Sequence, residues 1–495
     1  MSNRSNWLRR PATWILVAVI VTYCVLGVLY AVHTPPWQAP DEPAHYNYVR
    51  YLAAHHRLPV LQAGDYPHDY LEEIKAAKFP PEMTIDPIRY EFWQPPLYYL
   101  LAVPVYLLFG GALLPLRLFS VACGAGLLIV AYGIARQAFP QNDALALGTV
   151  ALIAFVPQHL AMTAAVNNDA LAELILAGVM WALVRWVVGG ETRGVGENSE
   201  ELKRLAVVGV LMGLGLLTKT STVVSVPLAL VALVLRRKRV DTRSVACLLL
   251  PALLLVLPWL VRNAAVYGGF DVLGWGRHGA VVADQPRTAE WIALYGLGNV
   301  LRWGLTTTFQ SFWAQFGWMA VPIDARIYRA LALFCGLAGV GFVLHVMRLW
   351  RERGLRLDEG TQRAASLLAL WLLLTGASYL WYNATFVQHQ GRYLFPALVP
   401  IAVFFALGWR EALRPENARW LAMALLVGAV VLVMRGLVAG QFSKTTVALI
   451  GGTAVILGGQ SFLGKRSRLA VFALPYLGLA ALALACPFVF IAPYL

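Results

Sequence analysis

Apolar residues in this chain come in runs of about 14 to 24 positions, separated by short polar clusters. An α-helix needs roughly 20 apolar residues to cross a bilayer core, whereas a membrane β-strand shows only about ten alternating positions. The runs therefore predict an all-α, polytopic membrane protein. Candidate spans fall at 14–32, 114–136, 143–164, 169–188, 205–218, 221–235, 244–262, 326–349, 365–386, 393–409, 418–435, 445–463 and 469–492, thirteen in all. The stretch 96–109 is apolar too, but it is short and interrupted by Pro104, which places it in the interface rather than across the bilayer.

Polar residues concentrate in two long segments, 34–113 and 263–325. The first is predicted to carry short interfacial helices at 44–56 and 68–78, and a third opened by Gln94-Pro95-Pro96-Leu97-Tyr98-Tyr99. No internal repeat, low-complexity tract or soluble domain is visible, and the Gly- and Glu-rich stretch 189–201 reads as a flexible linker.

Composition agrees with the pattern: 59% hydrophobic residues, 13% charged ones and a mean hydropathy of +0.63 leave too little polar surface for a soluble globule. The net charge of +14 raises nucleic acid as a partner, but its placement answers differently. In the thirteen-span threading, 24 of the 40 Lys and Arg residues fall in alternate loops, including the Arg236-Arg237-Lys238-Arg239 cluster. That excess marks the cytoplasmic side. It puts the N-terminus, with Arg4, Arg9 and Arg10, inside and makes nucleic-acid binding unnecessary. No small-residue cleavage site follows the first span, so it reads as a retained helix. The five cysteines all lie in apolar runs without a CxxC pair, which points to packing rather than to disulfides or zinc.

The same threading brings the unusual polar residues to the outer side. Asp41 and Glu42 stand between Pro40 and Pro43, and His45 follows on the predicted helix. Gln94, Asn168, Asp169, Lys219, Arg262, Arg392 and Tyr393 share that face. For Asp41-Glu42 two readings stay open: an active-site loop, or an acidic helix N-cap. The runs flanking Lys219 span about 22 Å each at 1.5 Å per residue, so the Thr218-Lys219-Thr220 tip is expected to sit recessed. A recessed ammonium calls for an anion, either a lipid-linked phosphate or a protein carboxylate. His45, His55 and His56 cannot gather around one ion on a single helix, because His45 lies more than two turns from the others. Trp313 and Trp318 read either as a sugar-stacking pair or as part of an interfacial aromatic belt.

Pro40-Asp41-Glu42 before a Tyr-Val-Arg-Tyr-Leu helix, Gln94-Pro95-Pro96-Leu97-Tyr98-Tyr99, Asn168-Asp169-Ala170-Leu171 and Gly391-Arg392-Tyr393-Leu394-Phe395-Pro396 together resemble the GT-C-fold glycosyltransferases. That group holds the lipid A aminoarabinose transferases and protein O-mannosyltransferases. With Trp259-Leu260-Val261-Arg262-Asn263 and Ser311–Trp318, the chain looks most similar to a bacterial family of predicted membrane glycosyltransferases. The resemblance implies a GT-C-like catalytic domain over residues 1–409, including both outer segments, followed by supporting helices at 410–495. It implies inverting transfer of a sugar from a polyprenyl-phosphate donor to a lipid, glycan or protein acceptor at the outer face of the cytoplasmic membrane. Asp41 takes the role of general base for the acceptor hydroxyl, with Glu42 beside it in the catalytic pair. Lys219, Arg262 and Arg392, with Asp169, Asn168, Gln94 and Tyr393, bind substrate. A divalent metal held by Asp41, Glu42, Asp169 and His45 is implied by some relatives. Gln94 departs from relatives that carry Lys or His before the Pro-Pro pair. The alternatives are a transporter or flippase of a lipid-linked substrate, and a ligase or polymerase of the same fold.

Overall fold

The computed structural model describes residues 11–189, 197–236, 240–283, 285–352, 357–441, 443–460, 462 and 464–495. The basic N-terminal residues and Arg237 to Arg239 lie outside them.

The chain is a helical bundle. α1 (Pro11–His33) is apolar throughout and stops where Pro35 and Pro36 remove donors. Three short helices follow before the next long one: α2 (Glu42–His55), α3 (His68–Ala76) and α4 (Leu97–Leu108). At 12 residues, α4 is about 18 Å long, too short to cross a bilayer, in agreement with an interfacial placement. α5 (Leu113–Ala138) is followed by α6 (Asp143–Phe155) and α7 (Pro157–Thr163), which meet at a 64° bend where Pro157 opens the second. α8 (Asp169–Val188), α9 (Glu197–Leu216), α10 (Ser225–Arg236) and α11 (Thr242–Tyr267) complete the first half.

The second polar segment holds α12 (Trp275–Val281), α13 (Thr288–Tyr295) and α14 (Leu297–Trp313), then a two-residue antiparallel ladder pairing Gln315 with Pro322 and Phe316 with Val321. α15 (Ala325–Arg351), α16 (Glu359–Thr385), α17 (Leu398–Ala412), α18 (Pro415–Ala439), α19 (Lys444–Gln460) and α20 (Lys465–Cys486) close the bundle. α15 and α17 approach so closely that a Cβ at Gly341 would collide with the Gly408 carbonyl. The chain end returns to the start, where Phe488 packs on His33 and the Lys78 ammonium donates to the Tyr494 carbonyl at 2.9 Å.

Nine helices among the described residues are long and apolar enough to cross a membrane, or ten if the bent α6–α7 pair forms one span. Thirteen spans are not reached. The three that fall short are instructive: α10 has 12 residues, α19 has 17, and α9 begins in a charged run with Glu200, Glu201, Lys203 and Arg204. α9 is also 20 residues long, about 30 Å, rather than the 14 expected, so the Lys219 turn is not recessed by a short helix on that side.

The ends of the bundle differ in chemistry. At one, the end of α5 meets the start of α16 through a bond from the Thr361 hydroxyl to the Ala138 carbonyl, and the end of α8 lies beside Gly360. Arg136–Asp143, Arg236–Glu201 and Arg348–Glu411 pairs cluster there, with a cavity of about 350 Å³ beside Thr13, Arg136 and Trp181. α8 runs roughly 30 Å from that end to Asp169 at the other.

Candidate active site

Asp41 adopts a left-handed backbone conformation, φ 66°, as the residue capping α2. Asp tolerates this region better than most side chains. Its carboxylate makes no capping hydrogen bond to the helix, which sets aside the simple N-cap reading. Instead Oδ1 accepts from the Tyr90 hydroxyl and Oδ2 from Arg392 Nη2, each at 2.7 Å. Burial alone would raise the Asp41 pKa, but Arg392, His45 and Tyr90 outweigh it and hold the group at about 2.

Arg392 is delivered by a 3₁₀ turn, Gly391–Ala397, leading into α17. Gly391 is needed there because any Cβ would run into the backbone of Thr308 and Phe312, while its N–H donates to the Ser311 hydroxyl. The guanidinium also donates to the Gln390 amide oxygen and lies over the Tyr393 ring. Tyr393 in turn meets Tyr382 edge to face.

A second ion pair stands beside the first. Lys219, extended at the turn after α9, donates to Asp169 Oδ1 at 2.5 Å, and both side chains remain about a quarter exposed. Burial disfavours the ammonium, yet the Asp169 carboxylate more than compensates and raises the Lys219 pKa. The turn is fixed from outside itself: Leu97 N–H donates to the Leu217 carbonyl, and Asn168 bridges the Thr218 carbonyl and the Gln94 amide oxygen. Gln94 and Asn168 thus hold the framework that carries Lys219.

Glu42 does something different. It is fully buried, with Oε1 accepting from Arg117 Nε and Val166 N, and Oε2 from Arg117 Nη2 and Trp37 N. Arg117 spends its remaining donors on the carbonyls of Ala31, Thr34 and Pro35. Glu42, expected in the catalytic pair, has all its acceptor directions used in locking the α1–α2 junction to α5 and to the loop before α8.

Arg262 also departs from expectation. It donates to Asn263 and to the Pro59 carbonyl and lies over the Tyr267 ring, bracing the strand of chain after α2 rather than joining the two ion pairs. Trp313 is buried in the core, and Trp318 donates to the Trp37 carbonyl.

The metal expectation does not fit either. No group of three His, Cys, Asp or Glu side chains among the described residues is arranged to hold an ion. Glu42 is held by Arg117 in a fully buried pair. His45 Nδ1 is bonded to the Tyr99 hydroxyl at 2.8 Å, and burial lowers its pKa to about 4, so the ring is uncharged at neutral pH.

Two members of the site escape the sequence reading, Tyr90 and Glu91. Glu91 lies in the turn between α3 and α4, is 9% exposed, and its Oε2 has no hydrogen-bond partner among the described residues. Burial and the neighbouring Asp41 charge push it up to about 7. The available signal was a lone acid three positions before Gln94 in an otherwise aromatic run.

Residues 93–261, about a third of the chain, match the family model described as dolichyl-phosphate-mannose-protein mannosyltransferase. The likeness to membrane glycosyltransferases read from the motifs recurs there, over the stretch that carries Gln94, Asn168, Asp169 and Lys219. Comparison with curated protein sequences gives no match. Among solved structures, the chain is similar to ArnT from Cupriavidus metallidurans bound to undecaprenyl phosphate. The identity is 14% and the TM-score 0.49, over 97% of this chain and 78% of that one. It is also similar to the Archaeoglobus fulgidus oligosaccharyltransferase in complex with zinc and sulfate, at 15% identity and a TM-score of 0.47, over 88% of this chain. This match covers 53% of the archaeal protein, so the chain spans about half its length.

Proposed function

We propose that this protein is an inverting glycosyltransferase of the cytoplasmic membrane, moving a sugar from a polyprenyl-phosphate donor to an acceptor hydroxyl at the outer face. The observation that carries the proposal is the pairing of two carboxylates with two cations, Asp41 with Arg392 and Asp169 with Lys219, in one partly exposed site. Such pairs are exchangeable. A donor phosphate entering beside Arg392 and Lys219 competes with the carboxylates for both, and the cations then stabilise the charge that accumulates on the departing phosphate. Asp41, relieved of Arg392, accepts a hydrogen bond from the attacking hydroxyl and aligns it with the anomeric carbon. Asp169 keeps Lys219 aimed until the phosphate arrives. Tyr393 and Tyr382 offer ring faces for the sugar.

The basic end of the bundle, with Arg136, Arg236 and Arg348, faces the cytoplasm in this reading, and the Asp41 end faces out. Residues 1–409 carry the chemistry and 410–495 buttress it. The gathering of exchangeable charges at one end favours chemistry there over passage across the membrane, which calls for ionisable groups near the midplane.

The test is transfer by purified protein in detergent from short-chain polyprenyl-phosphate sugars. Release of polyprenyl phosphate together with glycosylated product is the expected result. Equal use of a soluble nucleotide sugar would overturn the donor assignment, and transport without product would overturn the reaction.

A further inference from the structure

Resting on that reading, the proton lost by the attacking hydroxyl needs a destination. Asp41 is poorly suited to keep it, because the Tyr90 hydroxyl still stabilises its ionised form after Arg392 has turned to the phosphate. The site holds a third carboxylate, and this one no cation neutralises directly. Glu91 follows Tyr90 in sequence, so the residue that anchors Asp41 also fixes the position of the Glu91 backbone. Its side chain is buried without an ion-pair partner among the described residues, and Oε2 is left with an unused acceptor. An ionised carboxylate in such a place is costly, and protonation removes that cost.

The charged and titratable groups around it come from every neighbouring element. Asp41 lies before α2, Tyr90 precedes it in the same turn, and Tyr99 lies on α4. Asp169 starts α8, Lys219 sits in the turn after α9, and Tyr382 is on α16. The two carboxylates raise the proton affinity of Glu91, the Lys219 ammonium lowers it, and Gln94 donates a hydrogen bond to the ionised form.

We propose that Glu91 is the catalytic proton acceptor of the site, receiving the hydroxyl proton while Asp41 holds the hydroxyl in line. The acceptor O–H bond breaks and its proton passes to the Glu91 carboxylate. The freed oxygen pair forms the bond to the anomeric carbon. The bond from that carbon to the phosphate oxygen breaks, with its electron pair leaving on the phosphate. Glu91 then returns the proton to solvent. With Glu91 near 7, the group is ionised often enough to accept and basic enough to hold what it receives, the compromise expected of an acid–base residue working at neutral pH.

Two experiments decide it. The first needs no substrate: infrared difference spectra of the purified full-length protein across pH 5 to 9 should show a carboxylic-acid band that titrates near 7 in the wild type, vanishes in Glu91→Gln and returns shifted in Glu91→Asp. A band unchanged in Glu91→Gln overturns the proposal. The second measures turnover of a polyprenyl-phosphate sugar. Wild-type kcat should fall as pH drops below about 7. Glu91→Gln should lose that limb and run roughly a hundredfold slower or worse, with undecaprenyl phosphate binding within threefold of wild type. A Glu91→Gln protein with wild-type rate and profile overturns the proposal. So does one whose undecaprenyl phosphate binding collapses without rescue by Glu91→Asp, since that marks a structural role. A wild type that turns over no lipid-linked sugar instead overturns the glycosyltransferase reading, and the spectra still judge Glu91.

Discussion

Asp41 and Arg392 are 351 positions apart in the chain and 2.7 Å apart in the fold, the first presented by a left-handed turn and the second by a 3₁₀ turn that only glycine at 391 permits. The side chains are 23% and 9% exposed, so the pair is sheltered but open to exchange. Asp41→Asn keeps the shape and an acceptor oxygen for Tyr90 while removing the charge. Transfer should fall by at least about a hundredfold in a protein that still folds, with its thermal unfolding midpoint lowered by the loss of the Arg392 pair. Near-normal transfer by this variant would remove Asp41 from the chemistry.

Glu42 calls for the opposite pattern. Its pair with Arg117 is 0% and 3% exposed, and removing one partner leaves an uncompensated buried charge, a loss of roughly 3–5 kcal/mol. Glu42→Gln and Arg117→Met should each lower the unfolding midpoint strongly. The double variant should cost less than the two singles added, since they share one interaction. A Glu42→Gln protein that unfolds like wild type but transfers no sugar would return Glu42 to the catalytic group.

Much of this site is legible in the sequence, for a physical reason: a charge in apolar surroundings has few innocent explanations, so Asp41, Asp169, Lys219 and Arg392 stand out. Which charge answers which is not legible, because the partners lie on turns far apart in the chain. Lys219 shows this, since its two candidate anions, phosphate and carboxylate, fit the sequence equally, and the fold supplies Asp169. Arg117 carried a signal that went unused. A single guanidinium a few residues inside an apolar span demands a buried partner. Glu91 was masked by its aromatic neighbours, and the span count by helices such as α9 whose ends run on into charged sequence.

Membrane sidedness can be tested at exposed positions. In a background lacking the five native cysteines, cysteine at 86 or 302 should react with an impermeant reagent added to intact cells, and cysteine at 243 or 351 should react only after lysis. Outside labelling at 243 would invert the threading and remove the outer-face site. Asp284, a natural position for the same test, lies outside the described residues.

Acid should weaken the first polar segment in two stages. His45 titrates near 4 in the fold against an ordinary value of 6.5, so the unfolded chain binds more protons between those values and stability falls as pH drops through that window. Asp41, depressed to about 2 from 3.8, contributes stability that is complete above 3.8 and lost as pH falls through 2. Glu91, raised to about 7 from 4.5, adds stability as pH falls through the same window, so the comparison is made in a Glu91→Gln background, where unfolding midpoints measured from pH 7 to 3 should decline first below 6.5. His45→Gln should flatten that first decline and leave the second. A His45→Gln curve parallel to that of its Glu91→Gln parent would remove His45 from this account.

The cations give the most discriminating prediction, because the expected effects have different signs. If Arg392 and Lys219 trade their carboxylates for the donor phosphate, Lys219→Met and Arg392→Gln should each weaken undecaprenyl phosphate binding. One charge-assisted contact in a sheltered site contributes about 1.5–3 kcal/mol, or roughly ten- to a hundredfold. Acceptor KM should change little. Arg262→Gln should have a much smaller effect on binding, since that guanidinium is spent on Pro59 and Tyr267. Asp169→Asn separates competition from simple electrostatics of the fold. The Lys219 ammonium then loses its resident anion, so undecaprenyl phosphate should bind more tightly than to wild type while the rate of transfer falls, because Lys219 is no longer aimed when the donor arrives. Binding measured by calorimetry in detergent, alongside kcat with a short-chain donor, reads both. Weaker binding in Asp169→Asn would mean that Asp169 acts with the phosphate site rather than in competition for its cation, and the exchange of partners at Lys219 would fall with it.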